Sequence, residues 1–191
     1  NVLNACVDVI TLREPDSLKE LQSMGVTKPE ILLTADPALT LPAAGADEID
    51  SVLLRAGIPP HGKYLCFALR NWKGFADKAP LFGQAAKYAY ETYGLTPVFT
   101  AVEKHLDPGA GRLAAAGLDI PHYFLDDAGN ASTIIGALSR MRVVVSMRLH
   151  ALIFAAGQGV PLAGVVYDPK VSAFLRYIGQ ENFRALDTLT L

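Results

Sequence analysis

Short apolar runs recur along the chain, and longer stretches with a helical apolar period separate them. Runs of strand length lie at residues 8–13, 31–34, 64–69, 97–100, 122–125, 143–146 and 162–166. Between them the spacing changes. Leu81, Ala85, Ala89 and Tyr93 stand at four-residue steps and predict a helix over residues 80–93, opened by Pro80. Further helices are expected at 105–116 (ended by Gly117), 131–140, 149–156 (closed by Gly157, Gly159 and Pro161) and 171–178. Near the start, Ser17 with Glu20 three residues on resembles a capping box, and Gly25 can end that short helix. Asp36-Pro37 stops the second strand. Residues 41–62 contain Pro42, Gly45, Gly57, Pro59, Pro60 and Gly62, which reads as a linker carrying one short helix around 48–55.

Strands alternating with helices of this length imply an α/β fold, an open parallel sheet with helices on both faces. Three consecutive valines, Val143 to Val145, fit a strand covered on both sides. In such sheets ligands bind beyond the carboxyl ends of the strands. The positions of interest are therefore Arg13, Asp36, Arg70 with Trp72, the stretch 100–105, Asp126 with Asp127, the stretch 147–150, and the stretch 167–170.

Composition narrows the function classes. The chain has 191 residues, 51% apolar and 19% charged, enough for one full domain and part of another. Its 17 basic and 19 acidic residues give a net charge of −2, without the basic excess of a nucleic-acid binder. Cys6 and Cys66 each lie in an apolar run and are expected as buried free thiols; no C-x-x-C or His/Cys cluster suggests a metal. No apolar run is long enough to span a bilayer, and no signal segment opens the chain. The start at Asn1-Val2-Leu3 lacks an initiator methionine, so a piece of a longer protein is expected.

Cations stand at four of the strand ends: Arg13, Arg70, Arg148 and Lys170. Cations gathered near helix N-termini make an anion site, because unpaired N–H groups and the helix dipole add to their charge. Arginine suits carboxylate or phosphate through paired hydrogen bonds; local capping or pairing of each cation is the alternative. Residues two apart on a helix point roughly 200° away from each other, so Arg148 and His150 share a ligand only if Arg148 lies in the turn and the helix starts near His150. There His150 could act as a general acid or base, or else serve as a core histidine donating to a carbonyl. Asp168-Pro169 reads as an N-cap followed by proline at the first helical position, which leaves Lys170 unexplained. His105 could touch a substrate from its loop. His61 and His122 read as structural, and Asp126-Asp127 as a capping loop. There is no G-x-x-x-x-G-K-[ST], G-x-G-x-x-G or H-E-x-x-H.

The run from Ser146-Met147-Arg148-Leu149-His150 through Ala156, then Gly159-Val160-Pro161, Tyr167-Asp168-Pro169-Lys170-Val171 and Phe174, resembles the C-terminal signature of the polysaccharide pyruvyl transferase family. It is most like the bacterial branch that pyruvylates cell-wall polysaccharide. The stretch Asp8 to Ser17 with Ala35-Asp36-Pro37-Ala38, and Ala68-Leu69-Arg70-Asn71-Trp72, are similar to other parts of that family. The resemblance implies a glycosyltransferase-B-like (GT-B) enzyme of two Rossmann-like domains. Residues 1–40 would end the N-terminal domain, 41–62 would link, and 63–191 would form the C-terminal domain.

It further implies transfer of an enolpyruvyl unit from phosphoenolpyruvate to a sugar, N-acetylmannosamine on a lipid-linked precursor, with no resident cofactor or metal. Arg148 and Lys170 would meet the donor's anionic groups and His150 would be acid/base or phosphate ligand. Arg70, Arg13, Trp72 and His105 would line the substrate site, with Trp72 either stacking on sugar or covering the core. A cytoplasmic location, at the inner membrane face where a lipid-linked acceptor would be met peripherally, goes with this reading; homo-oligomer formation stays open. Two rivals remain, a sugar-nucleotide glycosyltransferase of the same architecture and a non-catalytic interaction module.

Overall fold

Residues 1–190 are described by the computed structural model, in two units that divide after Leu39. The first contains α1 (Val2–Cys6), β1 (Val9–Leu12), α2 (Pro15–Ser23) and β2 (Glu30–Leu33), with β1 and β2 paired in parallel from Val9 opposite Glu30 to Leu12 opposite Leu33. α2 starts earlier than its Ser17 suggested. Glu14 is the N-cap and Pro15 follows, because proline's fixed φ suits the first helical position. Ser17 Oγ instead donates back to Glu14 Oε1 at 3.2 Å. The short α1 was not anticipated, and Cys6 is exposed on it rather than buried.

The second unit begins at Thr40. It runs α3 (Ala46–Arg55), β3 (Tyr64–Ala68), α4 (Phe75–Tyr93), β4 (Thr96–Thr100), α5 (Pro108–Ala114), β5 (Tyr123–Leu125), α6 (Ala131–Ser139), β6 (Val143–Ser146), α7 (Leu149–Gly157), β7 (Leu162–Val166), α8 (Pro169–Tyr177) and β8 (Phe183–Ala185). The strands form one six-stranded sheet in the order β5-β4-β3-β6-β7-β8, each neighbouring pair parallel. From β3 the chain winds outward to β5, returns through α6, and winds outward the other way from β6 to β8. This is the Rossmann order, and its direction reverses between β3 and β6.

Every residue of β3 is buried, as a strand covered on both faces requires. Leu65, Phe67 and Leu69 share one core with Phe75, Ala79 and Phe82 of α4. Phe67, Phe75 and Phe99 are at most 2% exposed, and each such burial contributes roughly 1.5–3 kcal/mol. α4 packs beside α5 on that face, while α3, α6, α7 and α8 are packed in succession on the other. Gly83 permits the first contact, since a Cβ there would lie 2.6 Å from the Ala114 carbonyl oxygen. Cys66 is fully buried on β3, and burial pushes its thiol from an ordinary 9.0 up to about 12.

Three differences from the sequence reading have tertiary causes. α4 begins at Phe75, not Pro80, which now stands inside the helix. Phe75 and Ala79 are both fully buried, so packing of the extra turn outweighs the hydrogen bond that the proline removes. Residues 41–62 carry the expected short helix, α3, but its Ile49, Val52 and Leu53 are buried against α6, so the segment belongs to the second unit's core as well as linking. β8 was not expected; it adds to the sheet edge through Gly164 opposite Phe183. Among the described residues no helix is long and apolar enough to cross a membrane.

Candidate functional site

The carboxyl ends of β3, β6 and β7 are neighbours in the sheet, and each leads into a short turn before a helix. After β6 the turn is Ser146-Met147-Arg148. The buried Ser146 Oγ accepts the Arg148 N–H at 2.8 Å and lies 3.1 Å from the Ala68 carbonyl at the end of β3. This hydroxyl ties the two strands together where the sheet reverses direction. α7 starts at Leu149 with Arg148 as its extended N-cap, so Arg148 lies in the turn and His150 in the first helical turn, the arrangement that a shared ligand requires.

Arg148 reaches across β3 toward the loop after β4. Its Nε and Nη2 donate to Asp107 Oδ2 and Oδ1 at 2.8 and 2.5 Å. The Asp107 side chain is 1% exposed and that of Arg148 14%. Asp107 Oδ2 also accepts the Val102 and Glu103 N–H groups at 3.1 and 2.8 Å. Asp107 was passed over in the sequence, where Asp107-Pro108 looks like any helix start; nothing in a one-dimensional pattern marks a carboxylate as buried. The loop thus supplies Asp107 to the edge, whereas His105 is exposed, its N–H donating to Glu103 Oε1 at 3.4 Å.

Arg70 makes a second crossing in the other direction. It leaves the end of β3, passes over β6, and donates through Nη1 to the Tyr167 hydroxyl after β7 at 3.0 Å. Its guanidinium stands 5.0 Å from the Trp72 ring centre and 5.5 Å from that of Tyr167, and the two rings are 4.9 Å apart. Among the described residues no carboxylate pairs with Arg70. Trp72 remains 42% exposed, so it covers Arg70 and Tyr167 rather than the core. Tyr167 lay within the 167–170 stretch of interest but was given no role, since only its partner just past β3, Arg70, reveals its place. A cleft of ≈ 620 Å³ opens beside this cluster, lined by Trp72, Lys73, Asp77, Tyr167, Asp168 and Asp187.

The third cation is looser. Asp168 caps α8 by accepting the Lys170 N–H at 3.0 Å, with Pro169 at the first helical position as anticipated. The Lys170 ammonium lies 3.5 Å from Asp168 Oδ2, with 41% of the side chain exposed. His150 is exposed, its ring 6.0 Å from that of Phe154, so it is not a core histidine. Arg13 belongs to the first unit, where it donates to the buried Asp36 at 2.6 Å. Asp126 and Asp127 hold local partners: Asp126 pairs with Arg112, and Asp127 Oδ1 accepts the Gly129 N–H. That N–H, with Lys104 3.2 Å away, holds the Asp127 carboxyl below the usual carboxylate range.

The edge therefore combines guanidinium groups, an ammonium, an imidazole and an aromatic pair, a set suited to a small ligand with two anionic groups. No curated protein matches the chain. The family model for polysaccharide pyruvyl transferase matches residues 1–169, from the first unit to the start of α8, and so takes in Arg70, Trp72, Asp107, Arg148, His150 and Tyr167. With a match over most of its length, the chain belongs to the polysaccharide pyruvyl transferase family and is by that membership a transferase enzyme.

Proposed function

We propose that the enzyme carrying this chain transfers an enolpyruvyl unit from phosphoenolpyruvate to a sugar, N-acetylmannosamine of a lipid-linked cell-wall precursor, and closes it into a pyruvyl ketal. The observation that carries this reading is the gathering of Arg70, Arg148 and Lys170 at the ends of three adjacent strands, with Arg70 lacking a carboxylate partner among the described residues. Phosphoenolpyruvate brings a carboxylate and a phosphate, and each needs cationic donors. We place the chain as the C-terminal portion of a GT-B-like, two-domain enzyme of the bacterial cell-wall branch, acting in the cytoplasm at the inner membrane face.

In this reading Arg70, Lys170 and Arg148 bind the two anionic groups, while His150 holds or delivers a proton. Protonation of the donor methylene makes a methyl group and an oxocarbenium-like carbon. The first sugar hydroxyl adds to that carbon and loses its proton. The carbon–oxygen bond to phosphate then breaks, inorganic phosphate leaves, and the second hydroxyl adds with loss of its proton. The methylene thus gains one proton, and two new carbon–oxygen bonds replace the double bond and the phosphate ester. Trp72 offers a face for the sugar, and His105 is a further substrate-lining candidate in this reading.

The test is ketal formation by the enzyme and by its Arg148→Ala, His150→Ala and Lys170→Ala variants. Loss of the acid/base group should lower turnover by about 10²-fold or more; wild-type turnover in all three refutes the reading. Calorimetry distinguishes the glycosyltransferase rival, because phosphoenolpyruvate rather than a nucleotide sugar should release heat on binding.

A further inference from the structure

We infer that Asp107 is the positioning residue for Arg148, setting the guanidinium so that its outer edge presents a paired-donor grip to one oxyanion of the donor. The inference rests on the reading above, in which Arg148 meets the donor. A guanidinium carries five N–H donors on a planar fork with more than one edge able to grip an oxyanion. Asp107 occupies the Nε/Nη2 edge, one oxygen on each nitrogen. The donors that remain lie on Nη1 and the outer hydrogen of Nη2, which form a second edge. That edge can take a carboxylate or phosphate without releasing Asp107.

The carboxylate is itself immobilised. Two backbone N–H groups of the loop after β4 hold its Oδ2, and its side chain is 1% exposed, so it has little freedom to follow a moving arginine. At the other end, Ser146 Oγ holds the Arg148 backbone N–H. The side chain is thus fixed at both ends across the point where the sheet reverses. Preorganised donors of this kind aid binding and transfer because they need no reorientation when charge develops. A serine-held turn and a buried carboxylate exceed what packing one partly buried arginine would need.

The test is steady-state kinetics of the whole enzyme with Asp107→Asn, Arg148→Gln and the double variant. Asp107→Asn keeps the side chain's size and should raise the donor KM at least tenfold with the acceptor KM unchanged. Adding it to Arg148→Gln should cost nothing further, because its effect passes through Arg148. If Arg148→Gln leaves the donor KM at the wild-type value, the underlying reading of Arg148 fails. If Arg148→Gln raises the donor KM and Asp107→Asn does not, only the positioning role fails. A lower Tm and lower kcat with both KM values unchanged would make Asp107 a stabilising residue alone and overturn the inference. Should Asp107→Asn not fold, Asp107→Glu keeps the charge but shifts it by one methylene, and an unchanged donor KM there is equally fatal.

Discussion

Arg70 and Arg148 occupy matching places, each just past the carboxyl end of a central strand, yet the fold treats them oppositely. Arg148 crosses β3 and meets a buried carboxylate in a two-point pair. Arg70 crosses β6 and meets a phenol and two aromatic faces. The first guanidinium is held in an ion pair; the second is held with no carboxylate beside it among the described residues. Position along the chain marks both as anion-binding candidates, and only their partners separate a carboxylate-paired guanidinium from an uncompensated one.

The largest effect that would break this comparison is on stability. Arg148→Ala strands the Asp107 carboxylate in the interior and should cost about 3–5 kcal/mol, read from urea unfolding of the chain. Replacing both partners, Arg148→Met with Asp107→Asn, should recover part of that loss, because the uncharged Asn Oδ1 can still accept from the Val102 and Glu103 N–H groups. A small effect of Arg148→Ala would mean that the pair is far better solvated than its burial indicates.

Arg70→Ala should reverse the balance. It removes one charge-assisted hydrogen bond and two cation–π contacts at a partly exposed site, so the stability cost should be about 1–3 kcal/mol. Donor affinity measured by calorimetry should nevertheless fall at least tenfold. If Arg70→Ala leaves donor binding intact, its aromatic setting is structural and the contrast with Arg148 collapses. Tyr167→Phe isolates the hydroxyl, and its expected cost is about 0.5–1.5 kcal/mol, with a smaller loss of donor affinity than Arg70→Ala.

The smallest stability change belongs to Lys170→Ala. Its 3.5 Å pairing with Asp168 is open to solvent, and such pairs contribute about 0–1 kcal/mol. Unfolding should shift by less than the error of the Arg148→Ala measurement, while ketal formation should drop. A large unfolding shift would move Lys170 from the binding set into the structural one.

How legible these features were depended on the kind of signal each left. The central strands stood out because β6 and β7 are continuous apolar runs, and their observed bounds coincide with the expected 143–146 and 162–166. The N-cap at Asp168 with Pro169 after it was equally local, and so was the helix start that puts His150 in the first turn, two residues past Arg148. α4 was misjudged at its start because Pro80 is a strong local signal, and the burial of Phe75 that overrides it comes from residues far away in sequence. The helix α3 was expected around 48–55, but flanking prolines and glycines made its segment read as a linker, although its apolar stripe packs on α6.

The sequence by itself determined the alternation of strand and helix, the parallel sheet it implies, and which cations fall at strand ends, because these follow from local period and turn chemistry. Only the tertiary structure decided which cations meet a carboxylate and which meet aromatic rings. Arg148 and Asp107 lie 41 positions apart, and Arg70 and Tyr167 lie 97 apart. Each pair meets because the strand order sets β4, β3, β6 and β7 side by side, and no pattern along the chain encodes that adjacency.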